Sequence, residues 1–139
     1  MITAVIMDMD GLIFSTEPIY FKCYQQAAAP MGIKFTFELF EACIGMSVAD
    51  AHPLMKSYFG KDVDVLALHE GCSRNFEEYM RLHPIPFRPG AKEAIEYFHG
   101  RGLKLGLATS NISRWVNKLL EKGQIRSYFS AVVTSDQVS

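Results

Sequence analysis

The pattern of apolar and polar positions predicts one strand near the start of the chain and two in its second half. Residues 2–7 form a short apolar run, rich in branched side chains, that ends at an acidic cluster and is typical of a buried parallel strand. Residues 103–108 and 131–134 form two further runs of this kind. Apolar residues at helical spacing precede each of the two later runs. We therefore predict a βαβαβ unit with a parallel sheet.

The long segment between the first two predicted strands has helical spacing and holds no convincing strand. Its four predicted helices run from residue 17 to Pro30, over residues 37–43 with Thr36 as the cap, from Ser47 onward, and from about residue 64 to 81. Three prolines within residues 84–89 mark a return to the first unit. The predicted organisation is an α/β core, residues 1–15 and 84–139, with a helical domain at 16–83 inserted after the first strand.

Composition excludes several classes of partner. The 139 residues are 49% apolar, and 14 basic residues nearly balance 15 acidic ones. This balance gives no electrostatic reason to expect nucleic acid or an anionic membrane. No apolar run reaches the roughly 18 to 20 residues of a membrane span. Three widely spaced cysteines predict free thiols in a reducing compartment, so we expect a cytoplasmic protein. Four histidines lack metal-ligand spacing and are expected at the surface or at helix ends.

Polar side chains follow the predicted strands, at the edge where open parallel sheets bind ligands. Asp8 and Asp10 follow the first strand, and Thr109, Ser110 and Asn111 follow the second. Two carboxylates so close together beside a buried strand repel each other unless a cation lies between them. Because that segment contains no Lys or Arg, the cation it favours is Mg²⁺, which prefers hard oxygen ligands.

With a metal present, such a pair of carboxylates can divide phosphoryl transfer between them. One can attack phosphorus and form an aspartyl-phosphate, while the other gives a proton to the leaving oxygen and later takes one from water. Hydroxyl and N–H groups at residues 109–111, at the start of a helix, suit a phosphate oxygen. Taken singly, each motif is also explained as a turn with solvated acids or as helix capping. Their combination at the ends of two successive strands favours a catalytic role for these residues.

Residues 8–18, Asp-Met-Asp-Gly-Leu-Ile-Phe-Ser-Thr-Glu-Pro, resemble the first motif of the haloacid dehalogenase superfamily, in the branch of β-phosphoglucomutases and sugar-phosphate phosphatases. Residues 105–111 resemble its second motif, residues 89–91 the return from the cap, and residues 44–47 the cap's substrate-facing loop. The resemblance implies a Rossmann-like core with a helical cap. It also implies site roles: Asp8 as nucleophile and Mg²⁺ ligand, Asp10 as general acid/base and, through its backbone carbonyl, a Mg²⁺ ligand, Thr109 and Ser110 for phosphate, and Thr16, Gly45 and Asn111 for substrate.

Some positions depart from that family's pattern. Ser15 stands where this branch has Asp, and Tyr20 and Val48 stand where the mutases carry His and Arg. The last two changes argue against a phosphomutase. The Lys and acidic residues of the family's later motifs, and the last two strands of its sheet, are not found before Ser139. We therefore expect the chain to be the N-terminal part of a parent protein, with residues 2–7 at an exposed sheet edge when alone.

The leading hypothesis is Mg²⁺-dependent hydrolysis of a small phosphorylated metabolite by the parent protein. A β-phosphoglucomutase-like phosphomutase and a non-catalytic fragment of such an enzyme are the alternatives. The second acid, Asp10, disfavours dehalogenation, and the helical insertion disfavours a phosphorylatable signalling receiver. The expected partners are the metabolite and the C-terminal part of the protein's own fold. The chain alone is expected to be inactive.

Overall fold

A computed structural model describes residues 1–138, which form two compact units. The α/β unit contains Met1–Thr16 and the chain from Pro84 onward, and the helical unit is Glu17–His83. The strands are β1 (Ala4–Met7), β2 (Lys104–Ala108) and β3 (Phe129–Val133). The helices are α1 (Glu17–Ala28), α2 (Phe37–Cys43), α3 (Val48–Phe59), α4 (Val65–Leu82), α5 (Ala91–Gly100) and α6 (Ser113–Lys122). Single 3₁₀ turns occupy Ala29–Met31, Arg126–Tyr128 and Ser135–Gln137.

The three strands of the described residues form one parallel sheet in the order β1-β2-β3. Val5 pairs with Leu105, and Leu107 pairs with Val132. This sheet, with the all-helical insertion after its first strand, confirms the predicted fold class. β1 lies at one edge of the described sheet, and its Ile6 is 75% exposed. Since all three strands run the same way, the segments that follow them meet at one edge of the sheet.

Amphipathic helices cover the sheet of the α/β unit. Helix α6 buries four apolar side chains on one face, and α5 buries two. On β2, Leu105 and Leu107 alternate with less buried positions and are each 1% exposed. Burial of side chains this size contributes about 1.5 to 3 kcal/mol each, so this layer stabilises the unit.

The helical unit begins three of its helices with side-chain caps. The side chains of Thr36, Ser47 and Asp64 accept hydrogen bonds from backbone N–H groups three residues further on, at the starts of α2, α3 and α4. The predicted helix starts at Thr36 and Ser47 are thus confirmed. Helices α1 and α4 pack together through buried apolar side chains, which on α4 are Val65, Leu68, Cys72, Phe76 and Met80.

Two histidines are half-buried in the middle of helices of the helical unit, which differs from their predicted placement at the surface or at helix ends. The His69 Nδ1 lies 2.9 Å from the Tyr24 hydroxyl, and the His52 and His69 rings are 5.4 Å apart. Burial lowers the pKa of His69, and neighbouring His52 adds to this effect. The three cysteines are free thiols, as predicted. Within residues 1–138, every helix is too short or too polar to cross a membrane.

Candidate active site

The chain reverses direction directly after β1, in a tight turn over residues 9–14. The Gly11 N–H donates to the Phe14 carbonyl at 2.9 Å, and the Ile13 N–H donates to the Met9 carbonyl at the same distance. Gly11 has a φ of 75°, a left-handed conformation that glycine adopts without steric cost. Met9, Ile13 and Phe14 are fully buried and anchor the turn. The reversal brings the residues that follow it back towards the end of β1.

The carboxylate of Asp10 is held from two sides. The Thr16 hydroxyl donates to Oδ1 at 2.7 Å, and the Asn111 Nδ2 donates to Oδ2 at 3.1 Å. The Thr16 side chain is 0% exposed, so its hydroxyl is fixed by packing as well as by this bond. Asn111 cannot exchange its amide atoms freely, because its Oδ1 accepts the Ile112 N–H at 2.9 Å. Both Asp10 oxygens therefore have fixed donors, one of them from the loop after β2.

Asp8 has a different environment from Asp10. It is exposed at the end of β1, and its Oδ1 accepts the N–H of Met9 at 2.7 Å. Among the described residues, none donates a hydrogen bond to its Oδ2. An exposed carboxylate oxygen of this kind is open to an incoming ligand, whereas the Asp10 oxygens are engaged by the protein.

The loop after β2 is tied to the loop after β3. The Thr109 N–H donates to the Val133 carbonyl at 3.1 Å, and the Ser135 N–H donates to the Asn111 carbonyl at 3.0 Å. The Thr109 Oγ1 accepts the Asn111 N–H at 3.2 Å, which leaves its own proton to donate. Ser110 is exposed, and within the described part of the chain neither its N–H nor its hydroxyl has a hydrogen-bond partner. This loop therefore presents hydrogen-bond donors at the sheet edge.

Asp136, Ser113 and Thr134 form a polar cluster beside this loop that sequence reasoning did not find. The Asp136 Oδ1 accepts from the Thr134 hydroxyl at 2.6 Å, the Ser113 hydroxyl at 2.8 Å and the Ser113 N–H at 2.9 Å. These bonds lower the pKa of Asp136 to about 2. The position of Asp136 after the third strand can be read from the sequence. Its contact with Ser113, 23 residues away, cannot.

The same cluster corrects the expected start of the helix after β2. Residues 109–111 were predicted to lie at its N-terminus, whereas α6 begins at Ser113. Asp136 accepts the first N–H group of α6, so the protein's own carboxylate occupies the positive end of this helix. The donors that remain for a ligand belong to the loop that precedes the helix.

The structure connects four of the seven predicted site residues by direct hydrogen bonds, namely Asp10, Thr16, Thr109 and Asn111. Asp8 and Ser110 lie in the same two segments after β1 and β2. Gly45 lies in the helical unit, in the turn between α2 and α3, with a φ of 80°. Its expected proximity to a substrate stays a prediction.

The donor atoms at this edge fit a hard divalent cation in kind, because Asp8 offers a carboxylate oxygen and Asp10 a backbone carbonyl oxygen. They are not a complete shell: in the described residues, no group of three or more His, Cys, Asp or Glu side chains is placed to hold a metal. The exposed oxygen of Asp8 is the atom best placed to take part, since the Asp10 carboxylate already accepts two hydrogen bonds.

Comparison with known proteins identifies the family of the chain. The family described as haloacid dehalogenase-like hydrolase matches residues 5–139. The chain belongs to this family. It is 34% identical over 139 residues to a phosphorylated carbohydrates phosphatase of Thermotoga maritima, an alignment that covers 97% of this chain and 62% of that protein. This confirms the family resemblance of its motifs.

Solved structures of haloacid dehalogenase-like hydrolases share the fold. A candidate β-phosphoglucomutase from Thermotoga maritima superposes with a TM-score of 0.68 at 33% identity, over 99% of this chain and 63% of that one. A β-phosphoglucomutase from Clostridium difficile superposes with a TM-score of 0.80 at 18% identity, over 100% of this chain and 64% of that one. The chain thus spans less than two thirds of the length of these relatives.

Proposed function

We propose that the parent protein hydrolyses a small phosphorylated carbohydrate through an aspartyl-phosphate on Asp8, with Mg²⁺ as cofactor. The observation that carries the proposal is the hydrogen bond from Asn111 Nδ2 to Asp10 Oδ2, which joins the Asp10 carboxylate after β1 to the donor-rich loop after β2. Membership in the hydrolase family and the similarity to a phosphorylated carbohydrates phosphatase support it.

The two carboxylates have separate tasks in this proposal. In the first step, an Asp8 oxygen attacks phosphorus, the bond from phosphorus to the ester oxygen breaks, and Asp10 in its acid form protonates that leaving alcohol. In the second step, the Asp10 carboxylate takes a proton from water, and the water oxygen attacks phosphorus. The bond to Asp8 then breaks, inorganic phosphate is released, and both side chains return to their starting states.

Thr109 and Ser110 bind the transferring phosphoryl group. The Thr109 hydroxyl has a proton to donate because its oxygen already accepts the Asn111 N–H. Ser110 adds an exposed hydroxyl and N–H one residue further on. Donors fixed before the reaction stabilise charge that develops on phosphoryl oxygens, and removal of one such donor costs about 3 kcal/mol in related cases.

Asp8 and Asp10 are the residues that would hold Mg²⁺. When bound, the ion supplies positive charge that reduces repulsion between the anionic nucleophile and the phosphoryl group. In our proposal the helical unit, Glu17–His83, acts as a cap that excludes water from the reaction, with Gly45 near the substrate. Thr16, which is fully buried in the α/β unit, serves the site through its hydrogen bond to Asp10.

The test uses the purified parent protein and a set of sugar phosphates, with release of inorganic phosphate as the readout. We expect turnover that requires Mg²⁺ and stops with EDTA. Borohydride reduction of the protein during turnover should convert phosphorylated Asp8 to homoserine, which peptide mass spectrometry identifies. Phosphate release without any modification at Asp8 would contradict the covalent intermediate.

A phosphomutase is the second candidate, because the chain is 33% identical to a candidate β-phosphoglucomutase of known structure. Two residues argue against it: Tyr20, whose ring stacks on Phe76 at 4.1 Å, and Val48 at the start of α3, stand at the mutase His and Arg positions. Conversion of β-glucose 1-phosphate to an isomer without phosphate release would favour the mutase. No turnover of any phosphate ester by the parent protein would favour the alternative that the protein is not a catalyst.

A further inference from the structure

Asp136 accepts three hydrogen bonds on one oxygen although it lies at the surface. Its donors belong to two different segments, Ser113 at the start of α6 and Thr134 at the end of β3. Thr134 is 2% exposed, and its hydroxyl also lies 2.8 Å from the Ser113 hydroxyl. Hydrogen bonds to a charged acceptor are shorter and stronger than those between neutral groups, so Asp136 holds these segments firmly together.

The residues beside this cluster fix Asn111. On one side, the Asn111 Oδ1 accepts the N–H of Ile112, which directly precedes Ser113. On the other side, the Asn111 carbonyl accepts the N–H of Ser135, which directly precedes Asp136. The two segments that hold Asn111, the start of α6 and the loop after β3, are therefore the same two that Asp136 connects. Asn111 in turn contacts the active site, because its Nδ2 lies 3.1 Å from the Asp10 Oδ2.

We propose that Asp136 is a positioning residue of the active site, which through Ser113, Thr134 and Asn111 sets the orientation of the Asp10 carboxylate. Asn111 is accordingly a positioning residue for Asp10 rather than only the substrate contact expected from the sequence. This inference rests on the proposed function, because the orientation of Asp10 affects the rate only if Asp10 is the general acid and base.

The kinetic test separates positioning from substrate binding. In the parent protein, we expect Asp136→Ala to lower kcat for a phosphate monoester by about tenfold or more, with KM within about twofold of wild type. Asn111→Ala should lower kcat to a similar extent. Because Asp136 acts through Asn111, the double variant should be no slower than Asn111→Ala alone, within about twofold.

A conservative variant and a control variant separate loss of the hydrogen bonds from a general effect of changing a surface acid. Asp136→Asn keeps one oxygen that can accept from Ser113 and Thr134, so it should recover most of kcat. Glu121→Gln changes an exposed acid on the same helix and should leave kcat and KM unchanged. If Asp136→Ala does not fold, as judged by circular dichroism, Ser113→Ala replaces it in the comparison with Asn111→Ala and the double variant. Ser113→Ala removes one of the three groups that donate to Asp136.

A wild-type kcat in Asp136→Ala, a loss confined to KM, or multiplicative losses in the double variant would each overturn the proposal. Crystal structures make the test independent of the proposed function. If the wild-type protein shows no Asp8-dependent turnover, the proposed function fails, and the structure of Asp136→Ala decides the positioning role. Loss of the contact between Asn111 Nδ2 and Asp10 Oδ2 would support that role, and an unchanged contact would overturn it.

Discussion

Asp8 and Asp10 are separated by a single residue, yet only Asp10 accepts hydrogen bonds from other side chains on both carboxylate oxygens. Asp10 accepts hydrogen bonds from Thr16 and Asn111, whereas Asp8 is exposed and bonded only to its neighbouring N–H among the described residues. An oriented carboxylate suits proton transfer, and an accessible one suits attack on a substrate. The sequence predicted both acids, but this difference arises from contacts 6 and 101 residues apart, which no local pattern reveals.

Asp8→Asn should abolish phosphate-ester turnover by the parent protein. The amide is a poor nucleophile and a weaker metal ligand, and the loss of covalent catalysis costs several kcal/mol, or more than about a hundredfold in rate. The measurement is kcat for a chromogenic phosphate ester with Mg²⁺. Asp62→Asn, which changes an exposed acid in the helical unit, is the matched control and should retain full activity. A rate above about a tenth of wild type would remove Asp8 from the nucleophile role.

Thr16→Val should lower kcat by about tenfold, because it removes the hydroxyl that donates to Asp10 Oδ1 and leaves that oxygen without its fixed donor. Valine has nearly the shape of threonine, so the variant tests the hydroxyl in a fully buried position. Thr16→Ser keeps the hydroxyl and should restore most of the rate. Equal rates in the two variants would mean that packing, and not the hydrogen bond, is what Thr16 contributes.

At the scale of elements, the sequence predicted which segments form helices and strands. It did not predict correctly why one of the helices ends where it does. From the sequence, Gly123 after the apolar face of the helix that follows the second strand predicts a helix end with a glycine cap. The helix does end there, but Gly123 has a φ of −75°, and the left-handed residue is Gln124, with a φ of 57°. A glycine is needed for space: an added Cβ would lie 2.8 Å from Phe14 and 3.1 Å from Phe87.

Gly123→Ala should therefore destabilise the protein by about 1 to 3 kcal/mol, the usual cost of overpacking a core. Phe14 and Phe87 are packed with ring centroids 4.8 Å apart, so neither ring can give way easily. Gly100→Ala is the control, since it lies at the end of α5 with no atom within 4 Å of the added Cβ. Urea unfolding measures both. A Gly123→Ala variant as stable as Gly100→Ala would show that the two rings move without cost.

The packing of α1, α3 and α4 predicts a pH-dependent stability. His69 faces Tyr24, His52 and Glu70, and burial followed by His52 lowers its pKa from the ordinary value of 6.5. Below pH 6.5 the unfolded chain binds more protons than the folded one, so the free energy of unfolding falls as pH decreases from 6.5 towards the folded pKa. Above pH 6.5 the contribution of His69 is constant.

His69→Gln removes the titrating group while its amide oxygen can still accept from Tyr24. We expect the variant to lose less stability than wild type between pH 7 and pH 5, as measured by urea unfolding of each protein at both pH values. His99→Gln changes an exposed histidine on α5 and should retain the wild-type pH dependence. Identical pH dependence in wild type and His69→Gln would exclude His69 as the source.

At the scale of the whole molecule, the fold class was predictable because strand and helix periodicities differ and because three prolines mark the return after the insertion. The cluster of Asp136, Ser113 and Thr134 was not, since it forms only when β3 places its exit loop beside α6. Family motifs identified Asp8, Asp10 and Thr109 as candidate site residues, but they could not reveal which neighbours orient them. Those neighbours depend on tertiary contacts that the motifs do not encode.

The polypeptide Met1–Ser139 alone should show turnover at least about a hundredfold below that of the parent protein, even with excess Mg²⁺. A phosphoryl group facing Asp8 needs positive charge around it, and the loss of one stabilising donor costs about 3 kcal/mol. In the part of the chain that the structure describes, no cluster of three His, Cys, Asp or Glu side chains forms to hold a metal ion, and the cationic groups of Arg114 and Lys118 lie over the Trp115 ring. β1 also leaves Ile6 exposed at the sheet edge, which favours aggregation. The test compares both proteins after their mass and fold are confirmed, and Asp8-dependent turnover by Met1–Ser139 close to that of the parent would show that its own residues suffice.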